Sequence, residues 1–398
     1  MPARIKPLRI SSWTLCSAIG DSRAQTLDAL RSRRSGLRAN DFGIEPLATW
    51  VGRVRGLESQ PLPGALSHWD CRNNRLAWRA LNGDGFRESV ERAIATYGAD
   101  RVAVIVGTST SSIGATEEAY ARLDAEGQFP SDLQRPIIHS THSLGDFVRH
   151  ALGLKNTCVT VATACASSAK VFCQAERVLR LGIADAVVVG GVDTLCGSVI
   201  FGFNSLELVS REPCRPFDAQ RNGINLGEAA GFALLERNEG NGPLLVGYGE
   251  SSDAHHMSSP DPDGLGARLA IEAALARAGL TAAAIDYINL HGTATRKNDA
   301  VEATLIAHIF PATTFASSTK AWTGHTLGAA GIVEAAMCWL AFESGELPGT
   351  LNMEELDPVC GPQIQRSNQR RDAQHALSFS FGFGGSNCVL AFARGAQS

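Results

Sequence analysis

Residues 159–170, Val159-Thr160-Val161-Ala162-Thr163-Ala164-Cys165-Ala166-Ser167-Ser168-Ala169-Lys170, decide how the rest of the chain is read. The β-branched run predicts a buried strand. It stops in small residues, with Cys165 at the turn. From Val171 to Arg180 the residues Phe172, Ala175, Val178 and Leu179 then fall on one face of a helix. The pattern is a strand, a tight elbow and a helix whose first turn carries a thiol. Backbone N–H groups at a helix N-terminus stabilise an anion, so this placement predicts a lowered pKa for Cys165 and the role of a nucleophile. The alternative at this point is a cysteine buried as a small core residue.

Outside this stretch the bulk properties exclude several classes. The chain has 398 residues and a formal net charge of −4, with 19% charged residues. Its length suffices for a large core and two domains or one fused unit. No basic patch dominates, which argues against nucleic acid as a partner. Ten cysteines in a chain this long do not form a disulfide framework. Cys158, Cys173, Cys338 and Cys388 lie in apolar runs, as expected of buried thiols in a reducing compartment. No CxxC pair or Cys/His cluster at metal-ligand spacing stands out. Met1 to Pro7 has no apolar h-region, and no uninterrupted apolar run reaches the length of a membrane span. A cytoplasmic protein without a membrane span is expected.

Strands and helices alternate on both sides of the central stretch. Strands are predicted at 8–15, 101–107, 186–193, within 223–236, at 244–249 and at 285–290. A short strand and loop follow over 315–320, and short strands at 377–379 and 388–392. Helices are predicted over 22–33, 72–81, 86–97, 113–123, 144–152, 265–278, 299–309 and 329–342. Alternation of this kind gives an α/β layered fold. The two halves are alike in kind but not in sequence, so a duplication is only suggested. Residues 237–243, Arg-Asn-Glu-Gly-Asn-Gly-Pro, read as the best linker and divide the chain into 1–240 and 241–398.

Several further signals join Cys165. His291 follows a β-run directly and precedes Gly292. His325 sits in Thr323-Gly324-His325-Thr326-Leu327-Gly328, a glycine-rich approach to a helix. Histidines placed this way at strand ends face a cleft. Lys320 lies five residues before His325, and in a cleft it needs a carboxylate, for which Glu302 is available. Ser380-Phe381-Gly382-Phe383-Gly384-Gly385-Ser386-Asn387 can bring backbone N–H groups close to a reacting atom. Together these favour thiol catalysis over a core cysteine.

At these residues the chain resembles the β-ketoacyl-[acyl carrier protein] synthases of the thiolase superfamily, in the group that elongates acyl chains. The matching segments are Thr163 to Ser168, Arg215-Pro216-Phe217-Asp218, Asp253 to Pro260, His291 to Thr295 with Asn298-Asp299, Ser318 to Gly331, and Phe381 to Asn387. They run in family order over essentially the whole chain. The resemblance implies a thiolase-like duplicated α/β core in five layers, α-β-α-β-α, and a dimer, either of identical chains or with a homologous chain-length partner. It implies that Cys165 accepts the acyl group. It implies that His291 and His325 act on malonyl decarboxylation, and that Lys320 pairs with Glu302. Phe383 would be the gate, its N–H joining that of Cys165 in an oxyanion hole, while Thr293 and Thr295 would contact pantetheine. No bound cofactor is implied. Substrates would arrive on the phosphopantetheine of an acyl carrier protein.

The chemistry suits those residues. A thioester on a good nucleophile can be attacked by a carbanion, given donors for the oxyanion. Two imidazoles donating Nε2–H can hold the enolate left by carbon dioxide, although sequence does not fix their tautomers.

Three segments depart from the housekeeping elongating enzymes. The loop Val209 to Cys214 is shorter. Thr110 falls where those enzymes place a larger apolar pocket residue. Asp70 to Arg75 differs in wording, and Arg72 and Arg75 read either as contacts for an acidic carrier protein or as a solvated helix face. These departures favour a specialised polyene or polyketide pathway, of an aryl polyene-like kind, over ordinary type II fatty acid synthesis. A non-catalytic partner subunit would lack the cysteine. A thiolase would carry a second reactive cysteine near the C-terminal glycine loop, where Cys388 instead reads as core. An initiating synthase would carry asparagine at His325.

Overall fold

Ten strands carry the fold in a computed structural model that describes residues 3–43, 45–237 and 240–395. They are β1 (Leu8–Ser17), β2 (Val102–Gly107), β3 (Cys158–Val161), β4 (Ala186–Asp193), β5 (Ala229–Glu236), β6 (Leu244–Ser252), β7 (Tyr287–Asn289), β8 (Phe315–Ser317), β9 (His375–Gly382) and β10 (Ser386–Ala393). Their spatial order is β8-β7-β9-β10-β6-β1-β5-β4-β2-β3. The seam is short: Leu8 of β1 lies opposite Leu245 of β6, and Arg9 opposite Leu244.

Read outward from that seam, both halves use one plan. Each runs first strand, fifth, fourth, second, third. The first-to-fifth and fifth-to-fourth pairings are antiparallel in both halves. The fourth-to-second and second-to-third pairings are parallel in both. The duplication that residue identities only suggest is therefore explicit in topology.

Helices separate into three layers. On one outer face lie α1 (Arg72–Leu81), α2 (Phe86–Tyr97) and α3 (Ser143–Ala151), which form a core with one side of the first half-sheet. Between the half-sheets lie α4 (Ser167–Arg180) and, later in the chain, α8 (Ala330–Ser344). A short helix α5 (Gly197–Ser205) follows β4. On the far face α6 (Leu265–Ala278) and α7 (Arg296–Ile309) cover the second half-sheet. The order of layers is α-β-α-β-α. Strands β2, β4 and β5 are buried along their whole length, which is why they read as continuous apolar runs rather than alternating ones.

The central pair of helices explains the composition of α8. Residues 330–342 are all buried, so the helix is apolar on every side. Gly331 lets it approach α4: a Cβ there would lie 2.4 Å from the Ala169 nitrogen. Ser168 Oγ accepts from the Ile332 N–H at 3.0 Å, tying the two helix starts together. Against the expectation of no membrane-length run, Leu327–Ser344 is long and apolar enough to cross a bilayer, but 89% of it is buried within this core.

Two other expectations change. Helix α5 lies in a stretch that the sequence leaves unassigned. The linker 237–243 includes residues 238 and 239, which lie outside the described residues. At its end the Pro243 carbonyl accepts from the Ile10 N–H at 2.8 Å, so the chain is already fastened to β1 before β6 begins.

Candidate active site

The elbow after β3 turns within four residues. Ala164 takes φ 49°, a left-handed conformation that few side chains adopt. Ser167 fastens the turn: its hydroxyl donates to the Ala164 carbonyl at 2.6 Å and accepts the Thr163 N–H at 2.9 Å. Cys165 therefore stands just before the first turn of α4, only 5% exposed. The lowered thiol pKa expected of that position is not found. Burial pushes the Cys165 thiol up to about 12, against the opposing pull of Lys320 and the Phe383 N–H. Desolvation disfavours the thiolate, so burial works against the helix N-terminus.

Both histidines enter the thiol's cavity from the second half. His325 Nε2 lies 3.1 Å from Cys165 Sγ. The His325 and His291 rings meet edge to face, with centroids 5.3 Å apart. Their tautomers follow from their other nitrogens. The Leu327 N–H donates to His325 Nδ1 at 3.2 Å. The Lys320 ammonium donates to His291 Nδ1 at 3.3 Å. A ring nitrogen that accepts carries no proton, so each imidazole holds its proton on Nε2. Burial and the Lys320 charge hold both pKa values well below the ordinary histidine range, so both rings are neutral.

Lys320 does not pair with Glu302. Its ammonium forms a buried ion pair with Glu334, one turn into α8, and also donates to the His291 carbonyl. Ser380 donates to the other Glu334 oxygen at 3.1 Å. Burial raises the Glu334 carboxyl to about 7, with Lys320 opposing. Glu302 instead accepts the backbone N–H groups of His291 and Gly292 at 2.6 and 2.7 Å. It shapes the loop that carries His291, and burial raises it to about 8. Glu302 is near His291 in sequence, but α7 points its carboxylate at backbone rather than at Lys320.

The glycine loop closes over the thiol. The Phe383 N–H points at Cys165 Sγ. A Cβ on Gly382 would lie 3.2 Å from the Cys165 nitrogen, so the bare glycine keeps the space beside that N–H open. Phe383 stacks on Phe203 of α5, centroids 5.3 Å apart. Sequence alone does not mark Phe203, because only the fold brings α5 to the glycine loop. A cavity of about 530 Å³ leads outward from Cys165, lined by His291, His325, Phe203, Phe383, Thr293 and Thr295 among others. The hydroxyls of Thr293 and Thr295 lie 2.9 Å apart along it. Arg296 and Lys297 stand at its rim.

Other expected site residues are engaged elsewhere. Thr110 does not line this cavity; its hydroxyl donates to buried Asp193 at 2.8 Å. Arg72 pairs with the fully buried Glu228, its Nε donating at 2.9 Å. Arg75 pairs with Asp70 at 2.7 Å and donates to the Leu57 and Glu58 carbonyls. Both guanidinium groups are thus held by carboxylates of this chain. The fold also gathers His142, Asp146 and Cys158, with ligand atoms within 4.8 Å of one another, which sequence spacing conceals. None of the three lines the Cys165 cavity.

Comparison with known proteins accords with this geometry. Residues 73–241 match the model of the β-ketoacyl synthase N-terminal domain, and residues 244–354 that of the C-terminal domain. Nodulation protein E of Rhizobium meliloti is 34% identical over 73% of this chain and 75% of its own. The 3-oxoacyl-[acyl-carrier-protein] synthase 2 of Vibrio cholerae is 30% identical over 97% of this chain and 98% of its own. In structure, the ketosynthase ApeO of Xenorhabdus doucetiae, solved in complex with its chain length factor ApeC, is similar over 98% of both chains. Its TM-score is 0.89 and its identity 34%. With two family models spanning well over half its length and the thiol, two imidazoles and glycine loop in one cavity, the chain belongs to the β-ketoacyl synthase family.

Proposed function

We propose that this protein condenses an acyl group held on Cys165 with malonyl-[acyl carrier protein], releasing carbon dioxide and giving β-ketoacyl-[acyl carrier protein]. One observation carries the reading: two neutral imidazoles with their protons on Nε2 share one cavity with a buried thiol, His325 lying 3.1 Å from its sulfur. Such a pair can hold an enolate oxygen without a metal ion.

In the first half-reaction the Cys165 sulfur attacks the acyl thioester. The oxyanion sits between the N–H groups of Cys165 and Phe383, and the Cys165 proton leaves with the pantetheine thiol. In the second, the malonyl thioester oxygen rests against both Nε2–H groups. Loss of carbon dioxide leaves an enolate there. Its carbon attacks the acyl-cysteine carbonyl, and the Cys165 sulfur departs. Lys320 keeps His291 in the donating tautomer, and Glu334 neutralises Lys320. Thr293 and Thr295 line the path of the pantetheine arm, and Arg296 and Lys297 supply positive charge at the rim for an acidic carrier.

The unpaired side of the edge strand β3, which hydrogen-bonds only with β2 among the described strands, supports a dimer built on that edge. We read the chain as two halves, 1–240 and 241–398, working in the cytoplasm. Similarity to ApeO over nearly the whole chain supports a specialised polyene or polyketide pathway with a chain-length partner, ahead of housekeeping fatty acid elongation.

The test is to purify the protein co-expressed with its genomic neighbours and offer saturated and polyunsaturated acyl carriers with isotopically labelled malonyl carrier. Labelled carbon dioxide with a two-carbon-longer β-ketoacyl carrier supports the chemistry. A heterodimer that extends unsaturated chains supports the specialised pathway. A homodimer that extends only saturated chains sinks it.

A further inference from the structure

Asp193 ends β4 fully buried and is the most heavily engaged carboxylate near the thiol. From the first half it accepts the Ser109 N–H at 2.8 Å, the Thr110 N–H at 3.1 Å, and the hydroxyls of Thr108, Ser109 and Thr110. From the second half it accepts one group, the Gly328 N–H, at 2.6 Å. The two loops touch there: a Cβ on Gly328 would lie 2.5 Å from the Ser109 nitrogen. No cation pairs with Asp193 among the described residues, so the cluster is a clamp of N–H and O–H donors around one carboxylate.

The residue before Gly328 is the one whose backbone sets His325. Leu327 takes φ 57°, a conformation costly for a leucine and held only where surroundings over-determine it. In that conformation its N–H donates to His325 Nδ1 at 3.2 Å. We propose that Asp193 is a positioning residue: by gripping the Gly328 N–H it holds the Leu327 turn, and the turn keeps the His325 proton on Nε2, aimed at the thiol. The inference rests on the reading of His325 as an Nε2–H donor. It adds a residue of the first half that disciplines an imidazole of the second.

An amide cannot replace this carboxylate. The N–H groups of Ser109, Thr110 and Gly328 divide between its two oxygens. Whichever oxygen becomes NH₂ therefore faces a backbone donor, and one loop must give way. The Leu327 turn is then released, and His325 can carry its proton on either nitrogen.

The experiment is ¹⁵N NMR of the histidine-labelled full chain, without substrate, for the wild type and Asp193→Asn. The wild type is expected to show His325 with an unprotonated Nδ1, and Asp193→Asn a mixture of tautomers. If Asp193→Asn does not fold, Ser109→Ala/Thr110→Val removes one hydroxyl donor from each oxygen, and the same shift is expected with smaller amplitude. Malonyl-carrier decarboxylation is read alongside and should fall by up to about 10²-fold in Asp193→Asn, the scale of losing one oxyanion donor. An unchanged His325 tautomer in the folded variant overturns the proposal, as does a wild-type His325 protonated on Nδ1. A wild type that shows the expected tautomer but no decarboxylation contradicts the proposed function and leaves the role of Asp193 standing.

Discussion

His325 Nε2 lies 3.1 Å from Cys165 Sγ although 160 residues separate them, so the reacting pair spans the two halves of the duplication. With Nδ1 accepting a backbone N–H, the imidazole is a donor toward the sulfur rather than a base that removes its proton. Cys165→Ala should therefore abolish acyl loading while malonyl-carrier decarboxylation continues, since His291 and His325 remain in place. Single-turnover assays of the two half-reactions separate these. Loss of both together would show that the sulfur itself takes part in decarboxylation.

A thiol held near 12 behaves differently from an activated one. Alkylation of Cys165 by iodoacetamide in the substrate-free protein should be slow at pH 7 and keep rising through pH 9. A plateau near pH 7 would mean that the helix dipole prevails over burial.

The histidines give a pH dependence of opposite sense. Their folded pKa values lie well below the ordinary 6.5, so below that pH the unfolded chain binds protons that the folded chain refuses. Stability from these two groups is thus present above pH 6.5 and is lost as pH falls toward their folded values. The NMR signals of His291 and His325 should not titrate between pH 8 and 6.

Glu334 and Glu302 can be told apart by stability. Glu334→Gln leaves the Lys320 ammonium buried without its counter-charge, which costs about 3–5 kcal/mol. Glu302→Gln weakens two backbone hydrogen bonds and should cost about 1–3 kcal/mol. Urea denaturation of the two variants checks the order. The reverse order would restore Glu302 as the partner of Lys320.

Carrier docking at the rim is tested by Arg296→Glu/Lys297→Glu. KM for the carrier substrate should rise about tenfold or more at low salt, because rim charges act on encounter, with kcat little changed. An equal effect at high salt would rule out a charge-based contact.

Much of this site is legible in the residues themselves. Cys165 and His291 follow strands and His325 sits in a glycine-flanked loop after a short helix, all beside small residues, a local pattern that survives without coordinates. The repeated strand order is not legible, because topology constrains which strands pair and leaves residue identity free. Glu334 escaped for a related reason: it is one polar residue inside an otherwise apolar helix, and only the packing of α8 against β9 brings it to Lys320. The ion pairs of Arg72 and Arg75 are half legible: Asp70 lies five residues before Arg75, whereas Glu228 meets Arg72 across 156 residues of chain.

The central claim is that Cys165 carries the acyl chain that malonyl extends. It is tested most directly by intact-protein mass spectrometry after incubation with acyl carrier thioester, then again after adding malonyl carrier. The expected result is one acyl adduct that maps to Cys165, disappears on malonyl addition and reappears on the carrier as a β-ketoacyl chain. An adduct on another cysteine, or none in protein that is folded and paired, would contradict it.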